Sequence, residues 1–192
     1  MGSLERPHVI AHNFGGAVSL RAHLVVGIPY DSLMLIDVVA IPPSGSPFFR
    51  YVHDNQNVLG DLPAYIHEAI VRAYIRDASH RGLREADLEA LVQPWTGAEG
   101  QPAFYRQIAD YDEGYLEEIE QRLDQLKIPV RVLWGADDTW IPTDTGERLT
   151  SLIPGATFSL IDDAGHLMHY DAAIALADEI RAWLSAGRDI AD

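Results

Sequence analysis

Short apolar runs alternate with helical periodicity at both ends of the chain. Four runs end at Asn13, Ala40, Gly135 and Ile161, and the second of them, from residue 32, is almost continuously apolar. Such runs are typical of strands that are buried on both faces, as parallel strands are. Apolar residues recur at helical spacing after Gly15 and again over 144–152 and 172–186. This alternation predicts parallel βαβ units, and therefore an α/β fold with four strands and helices on both sheet faces.

The middle of the chain has a different pattern. Residues 42–47 form a linker rich in Pro, Ser and Gly, and helical patterns rich in Tyr, Glu and Arg follow it. We expect helices near 61–79, 85–93, 100–110 and 113–125, and no strand between them. The sequence therefore predicts a helical insertion at 44–125 within a core made of residues 1–43 and 126–192.

Composition restricts the classes of partner. The 192 residues include 14 Lys and Arg against 29 Asp and Glu, which gives a formal charge of −15, and there is no cysteine. An acidic surface repels phosphate, so nucleic acid and anionic membranes are poor candidate partners. No apolar run approaches the roughly 18 to 20 residues that span a bilayer, and the first residues lack a signal-peptide core. We expect a cytoplasmic protein that binds a small molecule.

One strand turns directly into a helix around Asn13. Ala11 and Gly15, two residues to either side, are small, as in a nucleophile elbow, where the central side chain stands at the carboxyl edge of the sheet. Asn tolerates the unusual backbone angles of such a turn. A carboxamide, however, is neutral and a poor nucleophile.

Acid and base candidates follow the later strands. Asp137 and Asp138 come just after the strand that ends at Gly135, and His166 follows the strand that ends at Ile161. Strand ends of this kind carry the sites of open α/β sheets, and a neutral imidazole takes up a proton near pH 7. His166 and His169 resemble a metal-binding pair, but no third ligand is fixed, so we predict no metal and no cofactor. His8 and His12 are interpreted as packing residues.

These four segments together resemble the α/β-hydrolase superfamily. They are residues 8–16, the strand at 33–40, the Trp-Gly-x-Asp-Asp-x-Trp-Ile-Pro segment at 134–142 and the segment of Asp-x-Gly-His type at 162–166. The branch they resemble most is that of epoxide hydrolases and haloalkane or haloacetate dehalogenases, where the elbow commonly reads Gly-His-Asp-Phe-Gly-Gly. Ala11 and Asn13 depart from that pattern. The 44–125 insertion stands where the family has its helical cap.

The resemblance implies a role for each candidate. Asn13 takes the nucleophile position, His166 is the base, and the orienting acid is Asp138 or, as a second candidate, Asp37. The N–H of Phe14 would stand in the oxyanion hole. The substrate-binding residues expected from the cap and the acid loop are Tyr65, Tyr74, Tyr105 and Trp140. The implied activity is hydrolysis of an epoxide, a carbon–halogen bond or an ester.

Two departures predict an impaired enzyme. Asn13 offers no attacking oxyanion. The family also has four strands and a His-Gly-x-Pro-type loop before the elbow, whereas only seven residues precede His8 here. The last four strands of the family order are contiguous, so they can pair with one another, but the first would expose an edge. We therefore expect a homo-oligomer or a complementing N-terminal half. The alternative function is a non-catalytic binding or scaffold protein.

Overall fold

A computed structural model of the chain describes residues 5–186. The parts of the predicted core at 1–4 and 187–192 lie outside the described residues. Four strands form one parallel sheet in the order β1-β2-β3-β4: β1 is His8–Asn13, β2 is Ser32–Val38, β3 is Val130–Gly135 and β4 is Thr157–Ile161. The predicted four-strand parallel sheet is confirmed.

Helices cover both faces of the sheet. On one face lie α1 (Gly15–Leu24), α7 (Gly114–Glu120) and α8 (Thr143–Leu152), and on the other lie α9 (Met168–Asp171) and α10 (Ala173–Ala186). β2 is buried along its whole length because its alternate side chains enter both layers. Leu33 and Leu35 pack toward the first layer, and Met34 and Ile36 pack toward the second.

The segment between β2 and β3 is helical throughout its regular elements. Its helices are α2 (Pro47–Asp54), α3 (Gln56–Gly60), α4 (Ala64–Asp77), α5 (Glu85–Val92) and α6 (Gly97–Ala109), followed by α7. The sequence predicted α4 to α7 approximately but not α2 and α3. Helices α2, α4, α5 and α6 enclose a core of their own, whereas Leu116 and Ile119 of α7 join the core of the sheet.

The packing of α7 explains this division. Tyr115 and Glu118 contact Arg21 of α1, through a cation–π contact at 4.8 Å and an ion pair respectively. The independent helical layer, which we call the cap, therefore comprises α2 to α6. Within residues 5–186, no helix combines the length and the apolar character needed to cross a membrane.

Candidate active site

Asn13 stands at the sharp turn between β1 and α1. Only Phe14 separates the end of β1 from the start of α1, and the backbone φ of Asn13 is 51°, in the left-handed region. A Cβ added to Gly16 would lie 2.4 Å from Cβ of Val38, so glycine is required for α1 to approach β2 this closely. The turn thus holds Asn13 in a strained conformation at the carboxyl end of the sheet.

A buried histidine–carboxylate pair lies at the same end of the sheet. His166 Nδ1 and Asp138 Oδ2 are 2.9 Å apart, and the two side chains are 1% and 0% exposed. The second oxygen of Asp138 accepts hydrogen bonds from the N–H groups of Trp140 and Ile141 at 2.8 and 3.0 Å. Because the Asp138 carboxylate accepts a hydrogen bond from Nδ1–H, a neutral His166 ring carries its lone pair on Nε2. That Nε2 atom is buried and has no hydrogen-bond partner within the described residues.

Close contact between two loops makes this pair possible. The N–H of Asp137 donates to the carbonyl of Ala164 at 2.9 Å, which joins the loop after β3 to the loop after β4. A Cβ on Gly135 would lie 2.5 Å from the same carbonyl oxygen. Glycine at the end of β3 therefore allows the loop that carries Asp138 to contact the loop that carries His166.

Asp37 has a different environment from Asp138. It is the extra residue of a β-bulge at the end of β2, with φ of 45°, and it is fully buried. One of its oxygens accepts the N–H of Gly135 at 2.7 Å, and the other has no partner among the described residues. Burial, with a smaller contribution from the nearby charge of Asp138, raises the pKa of Asp37 to about 9. The structure therefore brings Asp138, and not Asp37, to His166.

His12 is a site residue that the sequence did not single out. Its Nε2–H donates to the backbone carbonyl of His166 at 2.8 Å, and the two rings lie 4.9 Å apart. Burial, with a smaller contribution from the neighbouring His166, lowers the pKa of His12 to about 4. The interpretation as a packing residue is incomplete, since a neutral His12 holds the loop that carries His166. The available signal was its position directly before Asn13.

Asp171 connects the loop after β4, which carries His166, to the cap. Its carboxylate accepts Ser79 Oγ at 2.5 Å and the backbone N–H groups of His80, Arg81 and Gly165 at 2.9, 3.3 and 2.9 Å. All four partners are donors, which suits an ionised carboxylate. The segment after α4 is thereby fixed to the residue that precedes His166.

A cavity of about 610 Å³ lies between the cap and the carboxyl end of the sheet. Asn13, Phe14, Tyr74 and Trp140 all contribute to its wall. The Tyr74 and Trp140 rings stack at 4.1 Å, and Trp140 in turn stacks on His166 at 4.9 Å. Phe14 is the residue directly before α1. The N–H groups at the start of a helix have no acceptor within that helix, so the Phe14 N–H can donate to an oxyanion.

Two of the three predicted cap tyrosines lie outside this cavity. Tyr65 is 72% exposed on the surface of α4, because nine residues, or about two and a half helical turns, place it opposite Tyr74. Tyr105 is buried in the cap core, where its hydroxyl pairs with His67 Nδ1 at 3.0 Å. Tyr74 is therefore the one predicted tyrosine that reaches the cavity wall described here.

One group of potential metal ligands occurs among residues 5–186. His80, Asp137 and Asp163 are exposed, and their ligand atoms lie within 4.8 Å of one another. Arg81 already pairs with Asp163 at 3.1 Å, so a cation is present there without a metal. The His166–Asp138 pair lies in a different, buried environment.

Comparisons with known proteins agree with this architecture. A family profile described as the Alpha/beta hydrolase family matches residues 2–179. The chain is 38% identical over 184 residues to 2-hydroxy-6-oxononadienedioate/2-hydroxy-6-oxononatrienedioate hydrolase of Paraburkholderia phymatum, covering 88% of this chain and 59% of that protein. It is thus similar to about three fifths of that relative's length.

Solved structures show the same fold. An alpha/beta hydrolase fold protein from Burkholderia ambifaria is 42% identical with a TM-score of 0.89, over 92% of this chain and 66% of that one. The 2-hydroxy-6-oxo-6-phenylhexa-2,4-dienoate hydrolase of Rhodococcus sp. strain RHA1 is similar in fold alone, at 18% identity and a TM-score of 0.71, over 92% of this chain and 63% of that one. These relatives do not confirm the epoxide hydrolase or dehalogenase branch that the elbow motif suggested.

Proposed function

Because this chain belongs to the alpha/beta hydrolase family, we propose that its cavity is the substrate site of a hydrolase for a carbonyl compound and that Asn13 impairs turnover. The observation that carries the proposal is an amide side chain at the elbow, at the same sheet edge as a formed His166–Asp138 pair. An ester is the simplest substrate of this class. Relatives named as hydrolases of oxo-substituted dienoates favour a carbonyl substrate over an epoxide or a halide.

The geometry supports general-base chemistry. The free lone pair of His166 Nε2 would accept a proton, and Asp138 would stabilise the imidazolium that forms. With a hydroxyl at position 13, the oxygen would bond to the acyl carbon as its proton moves to Nε2, and the carbonyl oxygen would become the oxyanion near Phe14 N–H. The lone pair of an amide nitrogen is delocalised, so Asn13 cannot take this part.

Reaction with a fluorophosphonate probe tests the assignment. We expect Asn13→Ser to gain a covalent phosphonyl adduct at position 13, detected by mass spectrometry, because the hydroxyl would lie in reach of the base. The unmodified chain and the Asn13→Ser/His166→Ala double variant should remain unlabelled. If Asn13→Ser forms no adduct while it remains folded, the hydrolase assignment is wrong.

Steady-state assays test the impairment separately. With 4-nitrophenyl butyrate we expect no turnover above background by the unmodified chain, because loss of a nucleophile costs several orders of magnitude in rate. We expect none by Asn13→Asp either, because this variant restores a carboxylate but leaves Phe14 N–H as the one oxyanion donor identified at the turn. Robust turnover by the unmodified chain that His166→Ala abolishes would contradict the impairment.

A non-catalytic binding protein is the second candidate function. The cavity is well formed although the nucleophile position holds an amide, and this combination favours retention of binding without chemistry. The two functions differ in the fluorophosphonate experiment, since a binding protein has no need of a competent base. Ligand binding without any adduct in Asn13→Ser would support this second function.

A further inference from the structure

The described wall of the cavity holds carboxylates but no cation. Among the residues 5–186 that line it, there is no Lys, Arg or His, whereas Asp110 and Asp112 both contribute. These two aspartates are exposed, so they lie where the cavity opens to solvent. Most of the remaining wall is apolar, with Val38, Ile75 and Phe104 as examples. The described part of the wall therefore carries negative charge and no positive charge.

This pattern opposes the binding of anions. A carboxylate that enters the cavity would pass Asp110 and Asp112 and would then lose water in an apolar space without a counter-ion. Both effects raise its free energy relative to an uncharged molecule of the same shape. The dienedioate in the name of the Paraburkholderia phymatum relative carries two carboxylates, which is the class of ligand that this wall disfavours.

Two side chains of this wall, Tyr111 and Trp140, carry a buried donor that has no acceptor among the described residues. The Nε1–H of Trp140 is buried and has no hydrogen-bond acceptor in the part of the chain that the structure describes. The indole is clamped between Tyr74 and His166, so it cannot turn its N–H to water without breaking two ring stacks. A buried donor without an acceptor costs free energy that a ligand oxygen would recover.

We propose that the cavity selects an uncharged, largely apolar carbonyl compound whose oxygen accepts a hydrogen bond from Trp140 Nε1, and that it rejects carboxylates. This inference rests on the proposed function only in taking the cavity as the substrate site. Trp140 is then a residue that determines specificity, in addition to its contact with His166.

A matched pair of small ligands tests the charge preference without any turnover. The uncharged 4-phenylbutan-2-one and the anion 3-phenylpropanoate share one skeleton and differ in a methyl ketone against a carboxylate. By isothermal titration calorimetry at pH 7.5, we expect the ketone to bind the unmodified chain at least about tenfold more tightly. Equal or tighter binding of 3-phenylpropanoate, or no measurable binding of either ligand, would overturn the proposal.

Two sets of variants assign the preference to the named residues. Asp110→Asn/Asp112→Asn should reduce the ratio between ketone and carboxylate affinities. Glu99→Gln/Glu147→Gln removes the same charge at exposed positions that do not line the cavity, and it should leave the ratio unchanged. Equal effects of the two double variants would show that only net charge matters, which contradicts the proposed role of the cavity wall.

The hydrogen bond to Trp140 has its own control. Trp140→Phe should weaken binding of 4-phenylbutan-2-one up to about tenfold, which is the range for a single neutral hydrogen bond. It should change the affinity for butylbenzene, which has no acceptor, much less. Equal losses for both ligands would mean that Trp140 acts only through packing. Because these measurements involve no covalent step, their failure is distinct from failure of the fluorophosphonate test.

Discussion

At the scale of single residues, burial sets the charge states of the groups around His166. His12 is kept neutral, with a pKa of about 4 against an ordinary value of 6.5, chiefly because it is buried. The unfolded chain takes up a proton at this residue below pH 6.5, whereas the folded chain does so only near pH 4. The stability that depends on a neutral His12 is therefore fully present above pH 6.5 and is lost as the pH falls from 6.5 to about 4.

The prediction for His12 is a pH-dependent loss of stability. At about 1.4 kcal/mol per pH unit, the contribution should be about 3 kcal/mol between pH 6.5 and pH 4. Urea denaturation at several pH values measures it, and His12→Asn should flatten the profile over this range by a similar amount. An unchanged profile in His12→Asn would show that other groups carry the dependence.

Asp37 has the opposite dependence. Burial raises its pKa to about 9, so the folded chain retains a proton that the unfolded chain releases above pH 3.8. Its contribution to stability is complete below pH 3.8 and decreases as the pH rises toward 9. The cost at pH 8 should be several kcal/mol.

An uncharged side chain of the same shape should relieve this cost. We expect Asp37→Asn to increase the free energy of unfolding at pH 8 by a few kcal/mol, because its amide oxygen still accepts the N–H of Gly135 and Asn tolerates positive φ. Asp37→Val should decrease it, because Val loses the hydrogen bond and is strained at this φ. Chemical denaturation compares the three proteins, and destabilisation by Asp37→Asn would contradict a neutral Asp37.

At the scale of elements, the segment after α4 joins the cap to the two loops that follow β3 and β4. The carbonyl of Ala78 accepts the N–H of Leu167, and the carbonyl of Asp77 accepts the hydroxyl of Thr139. Asp171 binds residues 79–81, which follow directly, together with Gly165. The chain after α4 therefore contacts both the acid loop and the base loop. A change in the position of α4 would be transmitted to the His166–Asp138 pair.

Substitution of Asp171 should loosen this junction. Asp171→Asn places an N–H₂ group among four donors, so we expect a loss of about 2 to 4 kcal/mol in the free energy of unfolding. Asp178→Asn, which removes only an exposed pair with Arg181, should cost less than about 1 kcal/mol. Thermal and urea denaturation of both variants decide this, and equal small losses would refute the role of Asp171 as a junction.

At the scale of the whole molecule, β1 pairs only with β2 among the described residues. Ile10, Phe14 and Val18 are 43%, 51% and 56% exposed next to its open edge. An open strand edge beside apolar side chains favours pairing with another chain. We expect this face to pair with a second copy of the chain.

Light scattering measures this association. The unmodified chain should exceed its monomer mass of 21.3 kDa, and Ile10→Lys/Val18→Lys should shift it toward the monomer. Ile174→Lys changes a residue that is 81% exposed on α10, away from the strand edge, and should have no such effect. A stable monomer at high concentration would refute self-association at this edge.

The sequence by itself determined the four strands, most of the longer helices and their order along the chain. Nearly continuous apolar runs predicted strands buried on both faces, and the sheet of β1 to β4 has this form because parallel strands are covered by helices on both sides. Local patterns also placed Asn13, Asp138 and His166 after strand ends. Carboxyl ends of parallel strands meet at one edge, so residues distant in sequence were expected together.

The tertiary structure decided which of these candidates meet. Asp37 and Asp138 both lie at the carboxyl ends of strands, but the bulge turns Asp37 toward Gly135, while the loop contact at Ala164 brings Asp138 to His166. The spacing of Tyr65 and Tyr74 places them on opposite faces of α4, but which of the two lines the cavity depends on how α4 is rotated against the cap core. The hydrogen-bond partners of His12 and most of those of Asp171 are backbone groups, whose positions are set by the packing of whole elements and cannot be identified from the local sequence.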